Sequence, residues 1–101
     1  MSRRRKWPFA DPKNAIALTM PEVAEGKNPI LLVTHDADEG TWQFHDGRND
    51  PDPNQGIVVC LEHVYAIDPS VGELADLPLG WRAWRDKPDQ PWQREEMEPE
   101  E

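Results

Sequence analysis

Apolar residues in this chain come in short runs, and their spacing changes along its length. ILLVT (30–34) and GIVVCL (56–61) are continuous apolar runs, β-branched in part, and read as strands. TWQFH (41–45) alternates Trp42 and Phe44 against Gln43 and His45, a half-buried strand. NAIALTM (14–20) is a weaker strand, ended by Pro21, and PEVAEGKNP (21–29) reads as a helical turn or loop. DADEG (36–40) ends in glycine between two strands, so a hairpin is the economical reading.

The period then lengthens. In EHVYAI (62–67) and the residue before it, Leu61, Val64 and Tyr65 fall at i, i+3 and i+4, which predicts a helix. Asp68-Pro69 marks a second start, with Asp68 as N-cap and Pro69 at the first helical position. Val71, Leu74 and Leu77 give it an apolar stripe up to Pro78. WRAWR (81–85) returns to alternation, with Trp81 and Trp84 on opposite strand faces. DKPDQPWQRE follows as a Pro-rich loop able to pin Trp92 onto the body. The expectation is a small α+β domain: a mostly antiparallel sheet of about four strands with one or two short helices.

Composition narrows the class. A chain of 101 residues suits one domain, and 11 prolines with 6 glycines argue against long regular elements. MSRRRK opens the chain with four positive charges, and EEMEPEE closes it with five negative ones. Residues 1–13 are therefore expected to be a flexible basic arm, 14–94 a single domain, and 95–101 an acidic disordered tail. Trp7 and Phe9 could belong to the arm or dock on the domain.

The net charge is −9. Such a body repels phosphate backbones, so no nucleic-acid partner is expected for the folded domain. It suits a basic protein partner, with faster encounter as the first benefit. Cys60 is the single cysteine, so no intrachain disulfide forms, and its apolar run predicts a small buried hydrophobe. No apolar h-region follows the basic start, and no stretch reaches the ~20 apolar residues of a membrane span. The expected location is the cytoplasm, and the expected state a monomer or weak dimer.

The residues most suggestive of chemistry are His35-Asp36 and His45-Asp46. They raise a small metal-dependent hydrolase as one alternative to a binding protein; a stand-alone structural or regulatory module, its acidic surface serving only solubility, is the other. With DADEG as the loop, His35 lies opposite Thr41 and His45 opposite Leu31, roughly 13 Å apart at ~3.3 Å per residue. One metal needs its nitrogen ligands about 2 Å away, so the pairs do not share an ion in this hairpin. A calcium loop starting at Asp36 would need glycine and glutamate where Thr41 and Gly47 stand. No phosphate-binding glycine loop or nucleophile triad is present, so neither a catalytic residue nor a cofactor is expected. The pairs read as solvated hairpin ends.

What rises above background is the placement of aromatic and charged residues. Trp81, Arg82, Trp84 and Arg85 are of the types enriched in protein–protein hot spots. Asp46, Asp50 and Asp52 form an acidic loop able to dock a basic protein. These seven are the candidate partner-binding residues.

The order of the pieces resembles the bacterial immunity-protein 33 family. The resemblance rests on Gly40-Thr41-Trp42-Gln43-Phe44-His45-Asp46-Gly47, the acidic loop after it, Asp68-Pro69 before a short helix, and a closing strand followed by Trp92. It covers about residues 14–94. It implies a protein that neutralises a toxin domain by binding it, with no catalytic residues to carry over.

Overall fold

A computed structural model describes residues 7–47 and 56–97. Nine short elements follow in order: β1 (Ile16–Thr19), α1 (Pro21–Ala24), β2 (Leu32–His35), β3 (Trp42–His45), β4 (Ile57–Cys60), α2 (Leu61–Ile67), a 3-10 helix (Pro69–Leu74), β5 (Trp81–Trp84) and β6 (Gln93–Glu96). The fold is α+β, with one six-stranded mixed sheet in the order β4-β1-β3-β2-β5-β6. Only β1 and β3 run parallel; the other neighbours are antiparallel. Two strands and one helix thus exceed the expectation. The clearest miss is β6: QREE has no apolar alternation, and its pairing to β5 comes from backbone bonds and cross-strand charge. It also carries the ordered body to Glu96, past the boundary expected at residue 94.

Alternation divides the sheet into two faces. One face carries Ala17, Val33, Trp42, Phe44 and Ala83, all buried. Ala17 sits beside Trp42 in the parallel β1–β3 register, the smallest side chain facing the largest. α2 and the 3-10 helix cover this face with buried Leu61, Val64, Val71 and Leu74. Asp68 separates these two helices, because the residue before a proline is held away from the helical region (φ −143°, ψ 92°). Its carboxylate then accepts from the Ser70 N–H at 3.0 Å and caps the next helix. Gly72 lets Tyr65 and Pro8 close in, since a Cβ there would stand 2.8 Å from the Tyr65 ring.

The expected N-terminal arm is corrected in part. Phe9 is in the core, edge-to-face on Trp42 at 5.4 Å between ring centres. Trp7 packs on Phe9 and Tyr65 and donates to the Asp11 carbonyl at 2.7 Å. Asp11 in turn accepts from the Trp42 indole N–H at 3.1 Å. Aromatic area is what ties this strap down, a payload that its charged surroundings hide in sequence. Residues 1–6 lie outside the described residues.

Removing the Phe9 ring should therefore cost as a core truncation does. We expect Phe9→Ala to lower unfolding stability by about 3 kcal/mol in a denaturant titration. A loss within about 0.5 kcal/mol, as for an exposed arm residue, would show that the strap is not part of the core.

Candidate functional site

The hairpin forms, but its register differs by one residue from the expected one. Leu32 pairs with His45, and His35 with Trp42. The reason is the turn: Asp36 N–H donates to the Thr41 carbonyl at 2.9 Å, and Gly40 N–H to the Asp36 carbonyl at 3.0 Å. Asp36 and Thr41 thus close the hairpin as its last bonded pair, residues 37–40 make the turn, and Gly40 supplies the positive φ of 73° that it needs. Directly paired residues share a face, so His35 lies with Trp42 on the helix-covered face and His45 with Leu32 on the other. The sheet itself stands between the two histidines.

Each His-Asp pair is held locally. His35 stacks on Trp42, 3.8 Å between ring centres at 13°. Its Nδ1 lies 2.8 Å from the Leu77 carbonyl, an acceptor only, so Nδ1 carries the proton. The Asp36 carboxylate accepts from the Glu39 N–H at 2.9 Å and braces the turn. His45 is 9% exposed, and its Nε2 faces the Gln43 side-chain oxygen at 3.3 Å. Asp46, buried at 6% exposure, accepts from the Asn28 amide at 3.1 Å. The second pair is therefore not a solvated hairpin end. Among the described residues, no three His, Cys, Asp or Glu side chains converge as metal ligands.

The candidate partner-binding residues do not form one cluster. Trp81 is half-buried on the covered face, paired across strands with His35. Arg85 is 4% exposed and points into the molecule. Its guanidinium donates to the Ile30 carbonyl at 3.1 and 3.2 Å, to Asp68 at 2.7 Å and to Ser70 Oγ at 3.1 Å. Its plane lies 4.0 Å from the Trp92 ring centre. Arg85 is thus an internal clamp and not a surface anchor. Asp46 is likewise internal, and Asp50 and Asp52 lie outside the described residues.

Arg82 and Trp84 remain, on the face of the sheet that no helix among the described residues covers. Arg82 is exposed, 5.8 Å from the half-buried Trp84 ring, and forms an ion pair with Glu95 across β5–β6. The pairings set out this face in rows. Val58, Leu18, Gln43, Thr34, Arg82 and Glu95 run across one row, and His45, Leu32, Trp84 and Gln93 across the next. A shallow hollow beside Trp84, lined also by Leu31, Leu32 and Gly47, has a volume of about 230 Å³. Drug-sized ligands occupy ~300 Å³ or more, so the hollow suits one side chain of a partner.

Sequence reasoning missed the apolar end of this face. Ile16 and Val58 are each 62% exposed, and Cys60 is exposed where a buried residue was expected. IVVCL reads as uniformly apolar, but strand geometry turns Val58 and Cys60 outward while Ile57 and Val59 face the helices. Alternation in IALT, with Ala17 and Thr19 inward, was the signal that could have found it. No helix among the described residues is long and apolar enough to cross a membrane. No protein-family model, curated protein or solved structure matches the chain.

Two measurements check this geometry. Burial pushes the His45 pKa below the ordinary histidine value, against an opposing pull from Asp46. The unfolded chain then takes up a proton before the folded one does. The stability tied to the neutral ring is present above about pH 6.5 and is lost as pH falls through the folded value. The melting temperature should drop more steeply from pH 7 to 5 in the native chain than in His45→Gln, and parallel slopes would count against a buried neutral ring. For the clamp, Arg85→Ala should cost about 3 kcal/mol in denaturant unfolding, because it takes the donor from Asp68 Oδ2 and from the buried Ile30 carbonyl. Arg85→Lys should restore little, since an ammonium has no planar fork.

Proposed function

We propose that this protein is a non-catalytic binding module that neutralises a partner protein, a toxin domain, by covering the partner's active face. The observation that carries the reading is the Arg82–Trp84 pair on the uncovered half of the sheet. Trp and Arg are the residue types that most often dominate a protein–protein interface. Leu32, cross-strand neighbour of Trp84, supplies apolar surface beside them. The net charge of −9 favours a basic partner by speeding encounter. The order of motifs, which resembles that of the immunity-protein 33 family, supports the toxin-neutralising form of the reading, and the cytoplasm is where such a protein would act.

A metal-dependent hydrolase built on both His-Asp pairs is the weaker reading. It needs His35 and His45 to converge, and they belong to opposite sheet faces.

The test begins with tagged protein incubated in lysate of its source cells at low and moderate salt. A single dominant basic partner is expected, with salt slowing association more than it speeds dissociation. The purified partner should then bind Trp84→Ala about 30-fold more weakly, the ~2 kcal/mol of a hot-spot residue. Unchanged affinity would move the contact away from this face. Absence of any partner at both salts would end the reading.

A further inference from the structure

The sheet has two edges, and they are built in opposite ways. β6 (QREE) is charged at three of its four positions. Arg94 turns back onto the 3-10 helix, bonding Asp76 at 2.8 Å and the Glu73 carbonyl at 2.7 Å, and Glu95 pairs with Arg82. Charge on an edge strand is a common guard against pairing with another chain. β4 (IVVC) has no charge, proline or glycine, and its neighbour β1 (IALT) is uncharged too.

The backbone of β4 is also open on its outer side. Leu61 N–H bonds the Ala15 carbonyl at 2.8 Å, continuing the β1–β4 ladder in which Val59 pairs with Ala17. Hydrogen-bonded residues alternate in an antiparallel pair, so Val58 and Cys60 turn their N–H groups away from β1. Among the described residues nothing pairs with them. On the uncovered face, the same two residues and Ile16 and Leu18 form a small apolar patch that reaches this edge.

We infer that β4 pairs antiparallel with β4 of a second copy, joining the two sheets edge to edge around a two-fold axis. The charge pattern selects this occupant. An acidic chain steers basic partners, but β1 and β4 offer them no countercharge, whereas an identical uncharged strip is its own complement. The charged β6 edges would lie ~50 Å apart at ~4.8 Å per strand, far beyond the ~8 Å screening length. The charge carried on β6 therefore does not oppose contact along this edge. Keeping the faces aligned pairs Val58 with Cys60 or with Val58 of the second copy, and in either register the two apolar patches merge. The contact leaves Arg82 and Trp84 open and does not rest on the toxin-neutralising reading.

Sedimentation velocity of the full chain, with reductant present, tests this. Mass should rise with concentration toward twice the 11.6 kDa chain, and added salt should not reverse it. Val58→Lys should weaken dimerisation at least tenfold without changing the melting profile at low concentration, because its side chain is exposed. Cys60→Lys should do the same, and Leu79→Lys, exposed elsewhere, should leave the dimer intact. A monomer at all concentrations up to about 1 mM would overturn the inference. So would a dimer that survives Val58→Lys and Cys60→Lys, or one that appears only without reductant.

Discussion

The buried guanidinium of Arg85 is the constraint on which the rest of the structure depends. It joins the strand that carries it to the chain entering β2 through the Ile30 carbonyl, and to the 3-10 helix through Asp68 and Ser70. Trp92, from the segment leading into β6, lies over it and donates to the Ser70 carbonyl at 3.3 Å. One planar, always-charged group thus fixes four segments at once. Replacing a buried ion pair by apolar residues of similar volume is often neutral or better for stability. The clamp is better understood as setting register: only one placement of β5 brings the fork onto the capping carboxylate and the Ile30 carbonyl together.

The two faces of the sheet then acquire separate roles. On the covered face, the helices and the Trp7–Asp11 strap enclose Trp42, Phe44 and His35, and the polar atoms there are spent on one another. On the other face, the pleat leaves a gradient from uncharged and apolar at β4 to charged and aromatic at β5 and β6. Among the described residues, α2 and the 3-10 helix cover one face of the six-stranded sheet, and Ile16 and Val58 on the other face are exposed. The proposed dimer edge rests on these two residues, and the proposed partner face on Arg82 and Trp84.

Much of the local structure was legible in sequence because its causes are local. Two periods, glycine and proline punctuation, and the Asp68-Pro69 cap were enough to place β1 through β5, α2 and the start of the 3-10 helix to within a residue or two, while that helix ends at Leu74, short of the stripe expected to run to Leu77. What each side chain does was less legible. Arg85 and Arg82 stand three residues apart with similar surroundings, and one is a clamp while the other is on the surface. Asp46 sits in an acidic stretch that looks solvated, yet its carboxylate is internal. Cys60 lies in an apolar run that looks like core, yet it faces outward at an edge. Each difference turns on which strand lies alongside, a non-local fact.

The sequence by itself determined an α+β domain of short elements, its hairpin, its helix boundary at Asp68-Pro69, and an acidic charge. Spacing of apolar residues and the fixed dihedral preferences of proline and glycine act within a few residues, so they can be read in order along the chain. Tertiary structure alone decided the strand order, the parallel β1–β3 pair, the recruitment of the polar β6, and the sides on which His35 and His45 lie. A shift of one residue in pairing reverses every side chain of a strand, and that register is set by the turn, by Arg85 and by the packing of the helices.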